Sequence, residues 1–295
     1  MEIIGTYPML YAFFDAEGAL IRDAVETQVA AAEANGASGI AVLGLGTEAA
    51  KLGRVEKRQI LEWTIAAVGG RLPIAATLSA GNVADMTEEA RIAHDLGAAW
   101  LILQPPRPPA SGADLVAFFG KVADAVDCPI AIQNAPEFLG IGLTAAELAA
   151  LAEAHPNVVA VKAECSAVAL ADLADALGGR MRLLNGRAGL ELTDNFRAGA
   201  DGMIPGIETI DLQVAVEKAM RRGDEAEAEA HYRRLLPAIA FAMQGLAHFI
   251  LYGKLIAAHR LGLPPSIQRL PAQTLSQRGA QWAARLAADL GPLAH

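Results

Sequence analysis

The chain has 295 residues, of which 53% are hydrophobic and 19% charged, and its formal net charge is −9. This hydrophobic content excludes a disordered chain, and the length suffices for one large barrel or two ordinary domains. The negative charge, together with the lack of any lysine and arginine cluster, argues against nucleic acid or an anionic membrane as a partner.

Short apolar runs alternate with longer amphipathic stretches about eight times before residue 222. This alternation predicts βαβ units and a parallel sheet. The predicted strands cover residues 3–9, 39–43, 73–77, 100–104, 129–133, 158–162, 181–185 and 202–205. The predicted helices include residues 21–35, 54–68, 83–96, 112–126, 144–154 and 211–222.

Eight such units predict an α/β fold of the (β/α)8 TIM barrel type, which typically takes about 250 residues. A doubly wound open sheet is the alternative, but no GxGxxG motif follows the first strand. After residue 222 the pattern is helical only. We therefore predict a barrel domain over residues 1–222 and a C-terminal helical domain over residues 223–295. In a TIM barrel, catalytic groups lie at the C-terminal ends of the strands.

Lys162 ends the sixth predicted strand, in an apolar, β-branched run that is typical of a strand buried in a parallel sheet. Because side chains alternate across a strand, Ala160, Lys162 and Glu164 share one face. An amine in a desolvated pocket is more often uncharged, and an uncharged amine attacks a carbonyl to form a Schiff base. The pattern suggests such a lysine with a carboxylate beside it. The alternative is a structural Lys–Glu pair.

Three short motifs lie at or just after predicted strand ends. They are Gly-Leu-Gly-Thr-Glu at residues 44–48 with Leu52, Gln-Asn-Ala-Pro at residues 133–136 with Gly140, and Val-Lys at residues 161–162. Together they resemble the dihydrodipicolinate synthase / N-acetylneuraminate lyase family of Schiff-base aldolases and dehydratases, and the resemblance covers essentially the whole chain. It implies that Lys162 forms the Schiff base with a small-molecule 2-oxo acid.

The resemblance also implies that the loop after strand two holds the substrate carboxylate. In this chain Leu45 and Gly46 replace both threonines of the family's loop. Gly46, Thr47 and Glu48 remain as predicted binding residues, since a glycine-rich backbone presents N–H groups to an anion. A plain turn is the alternative. Gly206, after the last strand, is a further predicted binding residue.

Both tyrosines of the family's aldolases are absent. Gln133 stands where a proton-relaying tyrosine is usual, and an amide cannot serve as a general acid or base near neutral pH. Residues 104–109 replace a Pro-Tyr-Tyr sequence, and Glu137-Phe138 does not supply the arginine of dihydrodipicolinate synthases. Gln133 stays a candidate catalytic residue by position, and dihydrodipicolinate synthesis is not expected.

Glu164 is the predicted proton shuttle, with mere orientation of Lys162 as the alternative. Lys-x-Glu combined with Gln-Asx-Ala-Pro is similar to the subgroup of 2-keto-3-deoxy sugar acid dehydratases, including L-2-keto-3-deoxyarabonate dehydratase. An iminium at C2 acidifies C3, and a nearby carboxylic acid can protonate the departing C4 hydroxyl. The leading hypothesis is a Schiff-base lyase that dehydrates such an acid. The alternatives are a pyruvate-releasing aldolase of the same family and a barrel that binds a keto acid without catalysis.

Three further polar residues near strand ends are candidates for substrate binding. Asn185 either hydrogen-bonds a substrate hydroxyl or makes a turn with the glycine that follows it. Arg107, between prolines, either clamps a distal carboxylate or faces solvent. Tyr11 is a candidate to supply the missing phenol. No metal or organic cofactor is implied, because the sequence contains no clustered ligands.

The compartment and the assembly are predicted from weaker signals. Cys128 and Cys165 lie in apolar surroundings, which is typical of reduced, buried thiols, and residues 1–11 lack signal-peptide features. We therefore expect a cytoplasmic protein. Residues 235–253 contain no acidic residue, lysine or arginine, but a proline and a Gln-Gly pair interrupt them, which indicates two packed helices rather than a membrane span. The family resemblance implies a homo-oligomer, a tetramer or a dimer.

Overall fold

The computed structural model describes residues 2–106, 111–266 and 268–295. Within these ranges, eight parallel strands alternate along the chain with helices. The strands are β1 (Gly5–Thr6), β2 (Ile40–Val42), β3 (Ile74–Leu78), β4 (Trp100–Leu103), β5 (Ile130–Asn134), β6 (Val158–Ala163), β7 (Arg182–Asn185) and β8 (Gly202–Met203).

The helices fall into two groups. Those that follow the strands are α1 (Arg22–Ala34), α2 (Arg54–Val68), α3 (Val83–Leu96), α4 (Gly112–Ala123), α5 (Pro136–Leu139), α6 (Ala145–Ala154), α7 (Ala167–Leu177), α8 (Leu192–Arg197) and α9 (Ile210–Arg221). The C-terminal helices are α10 (Glu225–Ala242), α11 (Leu246–His248), α12 (Lys254–Leu261) and α13 (Gln277–Leu290), with a π-helical turn at Phe249–Gly253 between α11 and α12.

Neighbouring strands follow the order β1-β8-β7-β6-β5-β4-β3-β2, and every pairing is parallel. Met9 closes the ring, because it bridges Gly206 on one side and Ala41 of β2 on the other. The predicted (β/α)8 TIM barrel is therefore confirmed. The predicted strands at residues 3–9 and 202–205 were too long, since Pro8 and Pro205 have no N–H to donate to the ladder.

The strand side chains separate into an inner and an outer core. The inner core, within the barrel, consists of Ile3, Tyr7, Met9, Ala41, Ala75, Trp100, Ile102, Ala131, Ala160, Leu184 and Ile204. The outer core lies between the strands and the helices and contains Val161. Because successive side chains alternate, Lys162 lies on the same face of β6 as Ala160 and points into the barrel.

The C-terminal helices pack against the barrel. Helix α10 contacts α9 and α8, whereas α12 contacts α1, α13 and the 3-10 turn Ile207–Thr209. The division of the chain at residue 222 stays a prediction. No single helix in the described ranges is long and apolar enough to cross a membrane, although α10 and Leu246–Leu261, which meet at 107°, together pass a test of length and composition alone.

Candidate active site

Lys162 and Glu164 form a buried pair at the C-terminal end of β6. The Lys162 Nζ lies 2.5 Å from the Glu164 Oε1, and the two residues are only 3% and 6% exposed. Both line a cavity inside the mouth of the barrel. The sequence predicted both side chains on one strand face, because they are two residues apart. In the structure, this spacing brings an amine and a carboxylate together at a cavity wall.

Two amides extend this pair across the neighbouring strands. The Gln133 Nε2 donates to the Glu164 Oε1 at 3.3 Å, and the Gln104 Nε2 donates to the Gln133 Oε1 at 2.9 Å. Both glutamines are buried. Gln133 was predicted at this site, whereas Gln104 was noted only as a departure from a tyrosine motif. The sequence did contain a signal for the inward position of both glutamines. Gln104 stands two residues beyond Ile102 and Gln133 two residues beyond Ala131, and both Ile102 and Ala131 belong to the inner core.

Two of the predicted glycines also line the cavity. A Cβ built on Gly46 would lie 3.2 Å from the Met9 Cγ, and one built on Gly206 would lie 2.7 Å from the Tyr11 Oη. Side chains at these positions would thus crowd against Met9 and Tyr11. The glycines leave backbone exposed to a ligand, and their part in substrate binding stays a prediction.

The other predicted residues of the loop after β2 are engaged by the protein itself. The buried Thr47 Oγ1 donates to the Leu10 carbonyl oxygen at 2.6 Å. Glu48 has a φ of +60° and accepts hydrogen bonds from the Lys51 Nζ, at 2.7 Å, and from the Lys254 Nζ. These contacts favour a role in shaping the loop, which was the alternative interpretation. Substrate binding by these two side chains stays a prediction.

Tyr11 and Glu208 form a second buried polar pair beneath the cavity. The Tyr11 Oη donates to the Glu208 Oε2 at 2.9 Å. Burial raises the pKa of Glu208 to about 7, and burial beside Glu208 raises the pKa of Tyr11 well above its ordinary value. The phenol of Tyr11 is thus held by a carboxyl group, and whether it replaces the family's missing tyrosine stays a prediction.

Asn185 shapes the loop after β7. Its Nδ2 donates to the Asn195 Oδ1 at 2.8 Å and to the Cys165 carbonyl at 3.0 Å, and its Oδ1 accepts from the Gly186 N–H at 2.7 Å. These contacts favour the turn over a contact with substrate. Arg107, the other polar candidate, lies outside the described residues.

Arg187 was missed by the sequence analysis. It lines the cavity, and its backbone has a φ of +51°. Its buried Nε has no hydrogen-bond partner among the described residues, although the Glu137 Oε2 lies 3.7 Å away. A second carboxylate, that of Glu191, accepts from the Arg187 Nη1 at 3.1 Å. An arginine that follows an Asn-Gly pair looks like a turn residue in the sequence, so only the fold could place it here.

The C-terminal helices supply part of the cavity wall, which was also not predicted. Met243, Leu246 and Phe249 line the cavity opposite the strand ends. Their helical pattern shows that they form an apolar face but carries no information about which surface that face meets.

The family model described as the dihydrodipicolinate synthetase family matches residues 2–288. The chain belongs to this family. It is 31% identical over 272 residues to the 4-hydroxy-tetrahydrodipicolinate synthase of Symbiobacterium thermophilum, with 88% of each chain covered. It is also 28% identical over 238 residues, 79% of each chain, to YagE of Escherichia coli strain K12, which is named as a proposed 2-dehydro-3-deoxy-D-gluconate aldolase.

Solved structures of the dihydrodipicolinate synthetase family agree with this assignment. A crystal structure of YagE, solved with pyruvate, superposes with a TM-score of 0.87 at 25% identity and covers 98% of this chain and 99% of its own. A family member from Pseudomonas aeruginosa gives a TM-score of 0.90 at 25% identity, with 98% and 100% covered. The protein is therefore a lyase of the class I aldolase type, which acts through a Schiff-base lysine.

Among the residues that the structure describes, two lysines are buried, Lys162 and Lys254. The Lys254 ammonium is bound by Glu48, and burial lowers its pKa. Lys162 instead lines the cavity, where a ligand can reach it. Among the described residues, no group of three or more histidine, cysteine, aspartate or glutamate side chains is placed to hold a metal ion.

Proposed function

We propose that the protein dehydrates a 2-keto-3-deoxy sugar acid through a Schiff base on Lys162, with Glu164 as the proton shuttle. The observation that carries this proposal is the distance of 2.5 Å between the Lys162 Nζ and the Glu164 Oε1 at a buried cavity wall. Amides accompany this pair where the family's aldolases have phenols. The carboxylate of Glu164 is then the acid–base group next to the amine.

Imine formation needs an uncharged amine. Because the Glu164 carboxylate is within hydrogen-bond distance, it can accept a proton from the Lys162 ammonium. The free amine attacks the C2 carbonyl of the 2-oxo acid and forms a carbon–nitrogen bond. The carbonyl oxygen leaves as water after it takes one proton from the amine nitrogen and one from Glu164, which becomes a carboxylate again. The product is a protonated imine on Lys162, which draws electrons from C3.

Dehydration then follows from one proton transferred within the site. Glu164 removes a proton from C3, and the electron pair of the C–H bond forms the enamine. The protonated Glu164 gives that proton to the C4 hydroxyl, which leaves as water while the enamine becomes a conjugated imine. Water then hydrolyses the conjugated imine, which releases the product and restores Lys162. The net change is the loss of one water, so a single carboxyl group suffices.

The surroundings of Arg187 favour a substrate that carries hydroxyl groups. Its buried Nε is a donor that no described residue satisfies by hydrogen bonding. Two carboxylates, from Glu137 and Glu191, already balance its charge. A neutral hydroxyl oxygen therefore suits this position better than another anion would.

A pyruvate-releasing aldolase is the second candidate, because the chain is similar to YagE. Both reactions pass through the same imine but break different bonds, C3–C4 in the aldolase and C4–O in the dehydratase. The test is a panel of 2-keto-3-deoxy pentonates and hexonates, with products identified by mass spectrometry. We expect a keto acid that is lighter by one water. Pyruvate and an aldehyde without that product would favour the aldolase.

We also propose a homo-oligomer, a tetramer or a dimer, in the cytoplasm. An apolar groove between α2 and α3 supports an interface, since Val55 is 71% exposed and Ile92 39% exposed beside it. Light scattering of the purified protein measures the mass directly. A species with the mass of one chain would contradict this proposal.

A further inference from the structure

Three hydrogen-bonded side chains and one ion-paired lysine form a buried chain across the ends of β4, β5 and β6. It runs from Gln104 through Gln133 to Glu164, whose Oε1 also lies 2.5 Å from the Lys162 Nζ. The four residues are between 1% and 8% exposed. The backbone N–H of Gln104 donates to the Leu78 carbonyl of β3 at 3.0 Å, so the sheet fixes the backbone of Gln104.

The carboxylate of Glu164 sets the direction of this chain. An ionised carboxylate only accepts hydrogen bonds, so Gln133 must turn its NH2 group toward Glu164. The Gln133 carbonyl oxygen then faces Gln104, which must donate to it. Because the two ends of an amide have nearly the same shape, packing alone does not choose between the two orientations of Gln133. The Glu164 carboxylate and the Gln104 donor act on opposite ends of the amide and favour the same orientation.

The two oxygens of Glu164 have different surroundings. Both the Lys162 Nζ and the Gln133 Nε2 engage Oε1. A Cβ on Gly186 would lie 2.8 Å from this same oxygen, so the loop after β7 closes that side. Oε2 accepts no hydrogen bond from the described residues, while Glu164 lines the cavity. Oε2 is therefore the oxygen available to a substrate.

We propose that Gln104 is a positioning residue that holds the Gln133 amide in its donating orientation, so that Glu164 keeps Oε1 on Lys162 and presents Oε2 to the substrate. This inference rests on the proposed function, because it concerns the proton shuttle of that reaction. Gln104 itself does not touch the reacting atoms. The other charged groups that line the cavity within the described chain are Lys162 and Arg187, and Arg187 is paired with Glu137 and Glu191.

Two substitutions separate orientation from packing. Gln104→Met keeps the length of the side chain but removes the donor, so only Glu164 still favours the donating orientation of the Gln133 amide. Gln104→Glu places an acceptor opposite Gln133, which reverses the amide and turns its carbonyl oxygen toward Glu164. A carbonyl oxygen beside a carboxylate favours the protonated form, whereas a donor favours the charged form.

We expect both variants to form the reducible imine with pyruvate as the wild type does. For dehydration, kcat should fall by up to about 100-fold with little change in KM, because the proton shuttle is misplaced rather than removed. The pH–rate profile of dehydration should move to higher pH in Gln104→Glu and by a smaller amount in Gln104→Met. Gln281→Met, on the exposed face of α13, should behave as the wild type.

Profiles of both Gln104 variants that superpose on the wild-type profile would overturn the inference. Weaker imine formation, a higher KM and a lower kcat, all to a similar extent, would also overturn it, because such general impairment marks a purely structural residue. Thermal melting identifies a variant that has not folded, and the other variant then decides the comparison. Absence of the imine in the wild type itself would overturn the proposed function, and this outcome is distinct from a normal imine with unshifted profiles.

Discussion

At the scale of single residues, the pair of Lys162 and Glu164 is better explained by chemistry than by stability. Removing two charges from water is unfavourable, and a buried pair often contributes less to stability than an apolar pair of equal volume. This pair nevertheless lies at a cavity wall rather than deep in the inner core. A site that needs an amine and a carboxylate within proton-transfer distance accounts for its position.

Glu164→Gln tests the shuttle directly. The amide keeps the size of the side chain but cannot transfer a proton, so we expect dehydration to slow by about 100- to 10,000-fold. Imine formation with pyruvate should remain detectable after reduction. Glu153→Gln, on the exposed end of α6, is the control. Dehydration by Glu164→Gln at the wild-type rate would assign the proton transfers to another group.

Gly186→Ala tests whether the loop after β7 positions Glu164. The added methyl group would lie 2.8 Å from the Glu164 Oε1, closer than atoms normally pack, and should displace the carboxylate. We expect kcat to fall by about 10- to 100-fold with the fold retained. The matched control is Gly53→Ala, whose methyl group would make only an ordinary contact at 3.8 Å. Equal activities of both variants would argue against this positioning.

At the scale of elements, helix α12 joins two loops of the barrel mouth. Its Lys254 binds Glu48 in the loop after β2. Its Arg260 donates to the Glu208 carbonyl at 2.6 Å in the turn after β8, and pairs with Asp211 at 2.8 Å. The loops that border the cavity are therefore fixed by the C-terminal extension as well as by the strands.

Glu208→Gln tests the electrostatics of this junction. Because burial raises the pKa of Glu208 from 4.5 to about 7, the folded protein binds more protons than the unfolded chain between these pH values. The free energy of unfolding should therefore fall as pH rises through this window, by up to about 3 kcal/mol from this group. Urea unfolding at several pH values measures the effect. Glu208→Gln should lose this part of the pH dependence. A difference in the free energy of unfolding between variant and wild type that does not change with pH would contradict the prediction.

The sequence predicted what depends on local periodicity. Alternating patterns gave the barrel, and the period of two along β6 placed Lys162 and Glu164 on one face. Gln133 was a candidate through the family resemblance, although the same rule also applies to Gln133 and Gln104. The sequence could not reveal Arg187, because its position depends on a loop held by residues distant in the chain. One such contact is the Gln213 Nε2, which donates to the Ala188 carbonyl at 2.8 Å.

At the scale of the whole molecule, the barrel and its extension form one site. The strands supply the amine, the carboxylate and the amides, whereas α11, the π-helical turn and the residue that follows α10 supply apolar cavity wall. A sequence boundary at residue 222 separates patterns of secondary structure but does not separate the parts of the site. Contacts between distant segments decide that arrangement, and no periodic signal encodes them.

The most direct test of the account is reduction of the protein with borohydride in the presence of pyruvate, followed by peptide mass spectrometry. We predict one adduct, on the peptide that contains Lys162, and none in Lys162→Arg. Lys218→Arg, at an exposed position on α9, should give the wild-type adduct. An adduct on Lys254, the other buried lysine, or no adduct at all would contradict the account.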